Sequence, residues 1–379
     1  MLLFYEKCCL ISQNMPGNTW YIGHTGTLQM LLYMLLLVFF TVLTERLRKK
    51  RRTLDRRASG NGWTEAMQKE RKMLNRYSLL RYLILPLAVL ILTFRIHPPV
   101  RLTFLDVGQG DGIVIESGGE TYLIDGGSTS KKEVGKYQLI PFLSYEGIGA
   151  LDAVILTHED EDHMSGILEL MAEIPKGGIK IRHLILPDIA EAAKGENYRR
   201  LEQNAAALKI PIDYIGRGDE IRNRRLYMKC IGPQKKMNTD QPNAYSTVLY
   251  LQCGNFSAML TGDTDGEGQE ALKDYLKQNP EFGKNLTLLK VAHHGSRFTT
   301  DADFLKLCRS QYAVISCGER NKYGHPHKEL LKRLADARIK VFITKDSGAV
   351  TFDSDGYKMK IREFLTPDTY QSPSDSYAP

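Results

Sequence analysis

The chain has 379 residues, 42% of them hydrophobic, which is enough for one large folded unit plus an appendage and too much for a globally disordered chain. Its net charge of +7 is not a nucleic-acid signature, because residues 1–100 carry a net +10 and residues 101–379 a net −3. The six cysteines form no C-x-x-C pair and none sits beside a histidine cluster, which excludes a zinc ribbon or a dense disulfide scaffold; one disulfide among Cys230, Cys253, Cys308 and Cys317 stays open.

Residues 28–44 carry no charge over 17 positions, about 25 Å of helix and the short end of a membrane span. A second apolar segment lies at about 79–96, with Pro86 inside it, which membrane helices tolerate. A pair of buried helices in a soluble protein is the competing reading. Between the two, eight of the thirteen residues 45–57 are Lys or Arg. The positive-inside rule makes this stretch a cytoplasmic loop and turns everything after His97 to the exterior. A nuclear-localisation or DNA-binding stripe is the rival, but a basic run between two apolar segments is better explained by topology.

From Val100 the texture changes. Short strands are expected at 101–107, 112–116, 121–124 and 153–156, then at 183–186, 226–231, 247–252, 257–261, 286–291 and 313–317. Helices are expected at 164–174, 197–208, 266–277, 302–309 and 328–337. This pattern predicts two sheets with helices outside. Three regions result: a membrane region at 1–99, an α/β unit at 100–365, and a Pro/Ser/Asp-rich tail at 366–379 that is expected to be disordered.

The most informative run is Thr157-His158-Glu159-Asp160-Glu161-Asp162-His163. Its carboxylates raise one another's pKa unless a cation neutralises them, and the run directly follows an apolar, strand-like segment. Four further clusters end strands: Asp106 and Asp111 in LDVGQGD, Asp125 before two glycines, Asp263 after Gly262, and the pair His293-His294. His158, Asp160 and Asp162 alternate and can point to one side. Asp162 and His163 diverge, which suits two neighbouring ions. The mixed donor set fits Zn²⁺, Mn²⁺ or Fe²⁺. It is not an EF-hand, because the required glycine and terminal Glu do not follow at the right offsets.

On these residues the chain resembles the metallo-β-lactamase superfamily. The signature H-x-H-x-D-H reads here His158-x-Asp160-x-Asp162-His163, with Asp at the second His position. That departure, with LDVGQGD at 105–111, Asn243-Ala244-Tyr245-Ser246, Gly262-Asp263, His293-His294-Gly295-Ser296 and Tyr323-Gly324-His325-Pro326, resembles the C-terminal domain of ComEC-type competence proteins, the membrane channels of bacterial DNA uptake. The likeness covers about 101–353. The family's soluble OB-type domain and most channel helices are missing, so the chain is expected to be a truncated version.

The resemblance implies an αββα sandwich preceded by two transmembrane helices, with two divalent ions, Zn or Mn. The implied ligands are His158, Asp160, Asp162, His163, Asp263 and one of His293 and His294, with Asp263 bridging and Asp106, Asp111 and Asp125 in support. The family usually has a further His before the Gly-Asp. Here that interval holds only His183, which lies in a strand pattern and is read as structural. The implied chemistry is metal-assisted hydrolysis, with Asp162 catalytic and His325 protonating the leaving oxygen or binding phosphate. Asn243, Ser246 and Ser296 are candidates to bind phosphate, with strand-capping roles as equal alternatives. DNA is the implied substrate, the bacterial plasma membrane the implied multi-pass location with the hydrolase domain outside, and other DNA-uptake channel components the implied partners. A phosphodiesterase or esterase acting on a cell-wall or lipid substrate, and an inactive channel-associated domain, are the alternatives.

Overall fold

The structure, a computed structural model, describes residues 2–13, 19–95, 97–365 and 369–371. It divides into a smaller compact unit, residues 21–96 with 145–147, and a larger one that takes in the rest. The larger unit includes α1 (Leu2–Gln13).

The smaller unit consists of α2 (Thr27–Asn61), α3 (Glu65–Leu80), a 3-10 turn at Arg81–Leu83 and α4 (Ile84–Thr93). The basic run at 45–57, expected to be the cytoplasmic connection between two spans, is helical throughout. No Gly or Pro interrupts it, and Leu43, Leu47 and Leu54 recur at helical spacing to pack against Met67 and Leu74. The helix ends only at Gly60-Asn61-Gly62, where Gly62 takes a positive φ. At 35 residues, α2 is about 52 Å long, against about 30 Å for the hydrocarbon core of a bilayer. Thr64 caps α3 by accepting a hydrogen bond from Met67 N at 3.3 Å. The Gln29 amide donates to Ile91 O (2.9 Å) and Phe94 O (2.7 Å), near the end of α4 where helical carbonyls lack partners. Leu28, Leu31, Leu35, Phe39, Leu83 and Leu90 are exposed. Thr27–Gly60 and Glu65–Thr93 are long and apolar enough to cross a membrane.

The larger unit is built on two sheets. The first runs, in spatial order, β18 (Thr369–Gln371), β17 (Met359–Glu363), β16 (Val350–Ser354), β1 (Val100–Phe104), β2 (Ile113–Ser117), β3 (Glu120–Ile124), β5 (Ala153–Ile155), β7 (Leu184–Pro187), β8 (Ile212–Ile215). The second runs β15 (Lys340–Ile343), β14 (Tyr312–Ile315), β13 (Leu288–Lys290), β12 (Phe256–Leu260), β11 (Val248–Cys253), β10 (Tyr227–Gly232), β9 (Glu220–Arg222). A small pair, β4 (Ala150–Leu151) and β6 (Lys180–Ile181), stands apart.

The inner faces share one core, where Leu102, Phe104, Ile113 and Ile115 meet Leu249, Leu251, Leu260 and Leu288. The outer face of the second sheet packs Met259, Leu289 and Ala313 under α8 (Gly266–Gln278), α9 (Ala302–Leu307) and α10 (Lys328–Asp336). On the outer face of the first sheet, Leu123, Leu139 and Ile167 meet around Gly126, which seats α5 (Ile140–Glu146) and α6 (Glu161–Glu173), with α7 (Glu196–Ala207) beside α6. A short α11 (Thr344–Ser347) joins β15 to β16. This is the expected αββα sandwich. Strands buried on both faces, such as β2 and β12, show the continuous apolar character of central strands.

Strands β6, β8, β9, β15, β16, β17 and β18 escaped the sequence reading. The tail expected to be disordered contributes Thr369–Gln371, which pairs antiparallel with β17; 366–368 and 372–379 lie outside the described residues. Cys230, Cys253, Cys308 and Cys317 are buried, unpaired thiols, so the open disulfide is not made.

Parallel pairing sets the functional edge. β3 and β5 run parallel, as do β12, β13 and β14, so their carboxyl ends line a common rim, where open α/β sheets keep their ligands.

Candidate metal centre

Two glycine-rich turns let three backbones close on one another. Gly127 lies against the 161–163 backbone so tightly that a Cβ would run into the Asp162–His163 peptide, and Gly110, at φ 154°, lies as tightly against Gly127 O and Asp162 O. Only glycine fits either approach. Main-chain hydrogen bonds tie the layers: Asp111 N to Asp162 O (3.0 Å), Gly127 N to Asp111 O (3.0 Å) and Gly126 N to His163 O (2.8 Å). LDVGQGD and DGG thus form the bed for the first turn of α6.

On this bed the side chains converge. Asp111, His163, Asp263 and His294 are all buried, with one ligand-type atom from each within 4.8 Å of the others. His163 is anchored through Nδ1 on Asp125 Oδ2 (2.8 Å), and the Asp125 carboxylate also accepts from Thr157 N (2.8 Å) and Thr157 Oγ1 (2.7 Å). His294 Nδ1 lies 3.0 Å from Ser316 O, to which it donates. Anchoring one ring nitrogen in this way leaves the other, Nε2, free to ligate. Asp263 Oδ2 lies 3.3 Å from His163 Nε2 and 3.0 Å from His294 Nε2, and Asp162 Oδ2 lies 3.3 Å from His294 Nε2. The His158 ring centroid is 4.0 Å from that of His163. Its Nδ1 meets Thr157 Oγ1 (3.1 Å) and Ser246 Oγ (3.3 Å), and its Nε2 is 3.5 Å from the half-exposed Asp160 carboxylate.

The Nε2 atoms of His158, His163 and His294 are buried without a hydrogen-bond partner. A buried nitrogen left wholly alone costs about 1–3 kcal/mol; those of His163 and His294 are met by ion pairs to Asp263 and, for His294, Asp162, and three such nitrogens gathered among carboxylates are a donor set for a divalent cation. The residues therefore fit the ions that the sequence implied. Without a cation the cluster is held by internal ion pairs. Burial alone would push the imidazoles down, but the surrounding carboxylates together outweigh it: Asp263 and Asp162 bring His294 to about 10, and Asp263 and Asp125 hold His163 well above its usual value. Burial would raise Asp162 and Asp263, yet His294 and His163 hold both well below the usual carboxylate range.

The pair His293-His294 is resolved by geometry. Both residues take left-handed φ of 51°, a backbone state that costs about 1–3 kcal/mol each and gathers at functional sites. His294 turns into the cluster. His293 turns to the rim, 3.4 Å from Asp265 Oδ2.

Other expectations need correction. Ser246 Oγ accepts from Asp263 N at 3.2 Å and lies 3.3 Å from His158 Nδ1, a bracing position that is the alternative to a phosphate-binding one. Ser296 Oγ accepts from Phe298 N at 3.3 Å within its own turn. Asp106 accepts from Gly108 N and pairs with Lys131, and so shapes a turn without supporting the cluster. Asp125 does support it, and Asp111 lies nearer than expected. Asn243 sits at the rim, donating to Asp265 Oδ2 at 3.1 Å with its Oδ1 buried and unpartnered. Of the four carboxylates in 157–163, Glu161 is exposed, and buried Glu159 turns away to accept from Gly195 N (2.9 Å), Tyr198 N (2.7 Å) and Tyr245 Oη (2.7 Å). His183 is exposed and pairs with Asp213, outside the site as read. His325 lies near His293 and His294, with ring centroids at 5.8 and 6.4 Å. Burial, then the charges of His294, His293 and His327, push its pKa down to about 4. It is therefore neutral at physiological pH, which argues against an imidazolium acid; its buried Nδ1 has no partner.

Two site residues were missed. Thr157 is the hub linking Asp125, His158 and His163. Lys290 is fully buried against Asp111 and Asp263; a lysine inside an apolar strand was its visible signal. Beside Asp160 a groove of about 730 Å³ opens, walled by Lys194, Gly195, Asn238 and Asp240.

Residues 105–319 match the metallo-beta-lactamase superfamily. The chain is 30% identical over 287 residues to ComE operon protein 3 of Bacillus subtilis, covering 72% of this chain and 35% of that protein. It is 28% identical over 253 residues to competence protein ComA of Neisseria gonorrhoeae, covering 66% and 32%. The chain thus spans about a third of the length of these curated relatives. Among solved structures, the metallo-beta-lactamase fold protein YhfI from Bacillus subtilis aligns with a TM-score of 0.43 at 16% identity, covering 66% of this chain and 99% of that one.

Proposed function

The chain belongs to the metallo-beta-lactamase superfamily, and from that premise we propose that it is a membrane-anchored, metal-dependent phosphodiesterase that cuts DNA during uptake. The observation that carries the reading is the convergence of three unpartnered imidazole nitrogens with Asp160, Asp162 and Asp263 at one rim. His158 and Asp160 would hold a divalent ion on one side and Asp162, His163 and His294 one on the other, with Asp263 between them. Two such ions, Zn or Mn, supply Lewis acidity to a phosphoryl group and a water nucleophile at neutral pH.

The chain's own groups do the positioning. Asp125 and Ser316 O fix the tautomers of His163 and His294. Asp162 stays ionised at neutral pH and orients the attacking water. His325, a neutral imidazole, retains one N–H and donates it to a phosphoryl oxygen. Asn243, with its free Oδ1, faces substrate at the rim. Residues 101–379 carry a net −3, so the ions would provide much of the attraction that basic side chains give elsewhere. The competence relatives favour DNA as substrate. The two apolar helices favour a plasma-membrane anchor, with the basic part of α2 cytoplasmic and the larger unit outside.

The test is cleavage of single- and double-stranded DNA by the full chain in detergent, with Mn²⁺, Zn²⁺ or EDTA. Metal-dependent cleavage that Asp162→Ala and Asp263→Ala each abolish is expected. No metal-dependent cleavage of either substrate would sink the nuclease reading, and activity surviving both substitutions would sink the site.

A further inference from the structure

We propose that Lys290 is a built-in cation of the centre, reserving Asp111 as its own partner and balancing Asp263, so that Asp111 is not a metal ligand. This rests on reading the cluster as a metal centre.

Lys290 closes β13 and is completely buried. Lysine is almost never fully buried unless paired. An ammonium has three N–H donors and no acceptor. Three acceptors surround this one: Gly262 O at 2.7 Å, Asp263 Oδ1 at 3.3 Å and Asp111 Oδ2 in an ion pair. Its donors are therefore fully used within the fold. The Thr261 hydroxyl donates to Lys290 O at 2.7 Å and pins its backbone.

The carboxylates divide their oxygens accordingly. Asp263 gives Oδ1 to Lys290 and Oδ2 to the two imidazoles. Asp111 gives Oδ2 to Lys290, and that oxygen lies 3.7 Å from His163 Nδ1. Nδ1 is the anchored nitrogen, committed to Asp125. Asp111 thus stands behind the His163 ring, whereas Asp263 stands in front, at Nε2. An ion held at Nε2 meets Asp263 Oδ2, and the ammonium beside Asp111 Oδ2 opposes a cation approaching that oxygen. Asp111 Oδ1 is buried without a hydrogen-bond partner and, on this proposal, stays so when the ion is bound. Closeness of ligand-type atoms alone would have counted Asp111 among the ligands; which face of His163 it occupies removes it.

The experiment compares the full chain in detergent with Asp111→Asn, Lys290→Met and the double variant. Metal equivalents per chain are measured by mass spectrometry after equilibrium dialysis against Mn²⁺, and unfolding midpoints are measured in EDTA. Asp111→Asn is expected to bind as many equivalents as the unaltered chain. Lys290→Met is expected to lower the EDTA midpoint by about 10 °C, because it strands two buried carboxylates. The double variant is expected to regain most of that loss. Loss of an equivalent in Asp111→Asn makes Asp111 a ligand and overturns the proposal, as does an unchanged midpoint in Lys290→Met. If Lys290→Met does not fold, the double variant decides: folded supports the proposal, unfolded overturns it. An unaltered chain that binds no Mn²⁺ overturns the metal-centre reading and the proposal with it.

Discussion

Metal binding to this centre is predicted to expel two protons, so affinity should rise steeply with pH. In the cation-free state His294 titrates at about 10 and His163 well above its usual value. At pH 7 both therefore carry a proton on Nε2, the nitrogen that would ligate. Each proton must leave when that lone pair is used. Two displaced protons make apparent affinity climb about a hundredfold per pH unit, or about 2.7 kcal/mol per unit. The assay is competition with a chromophoric chelator on EDTA-stripped chain at pH 6, 7 and 8, corrected for the chelator's own protonation. Calorimetry in buffers of different ionisation enthalpy counts the protons directly. The linked stability runs the other way. A histidine whose folded pKa lies above its unfolded value contributes stability that is fully present below about pH 6.5 and lost as pH rises through the folded pKa. The metal-free chain should therefore melt progressively lower from pH 6.5 towards 10, and the Mn²⁺-loaded chain should not follow it. A pH-independent dissociation constant with no proton release would refute the ion-pair account of the cluster.

Asp125→Asn places an amide where His163 Nδ1 now meets a carboxylate oxygen; metal affinity should fall about 10–100-fold, read by the same competition. His294→Ala should lose more than that, whereas His293→Ala, at the rim, should keep the metal content of the unaltered chain by mass spectrometry; equal losses would mean that the two were assigned to the wrong faces. Glu159→Ala strands three donors and should cost about 3 kcal/mol of stability in a denaturation series while leaving metal stoichiometry unchanged; a lost equivalent would make Glu159 part of the site.

The sequence made the chemistry of 157–163 visible but not its division of labour. Alternation suggested that His158, Asp160 and Asp162 face one side; in the structure His158 Nε2 lies 3.5 Å from Asp160 and Asp162 Oδ2 lies 3.3 Å from His294 Nε2. The separate role of Glu159 was not visible, because its partners, Gly195, Tyr198 and Tyr245, are set by tertiary packing with no local trace. The choice between His293 and His294 likewise depends on two left-handed residues that no periodicity announces. The helical continuity of α2 through its basic stretch went unread for a different reason. Charge was weighed for topology, while the helical spacing of Leu43, Leu47 and Leu54 stood in the same residues. Strands β16 and β17 do alternate, with Val350, Phe352, Met359 and Ile361 buried between more exposed polar residues, so their signal was local and was passed over.

The glycine bed under α6 carries a further consequence. Gly110 and Gly127 make the floor of the centre from main chain alone, so its shape does not depend on which side chains stand on it. Donors can be exchanged without moving the walls, as Asp160 has been where the superfamily signature carries histidine. Such a scaffold can change its ion preference through single substitutions and keep its reaction geometry. The same arrangement is unforgiving underneath, since a single methyl group at position 127 would displace Asp162 and His163 together.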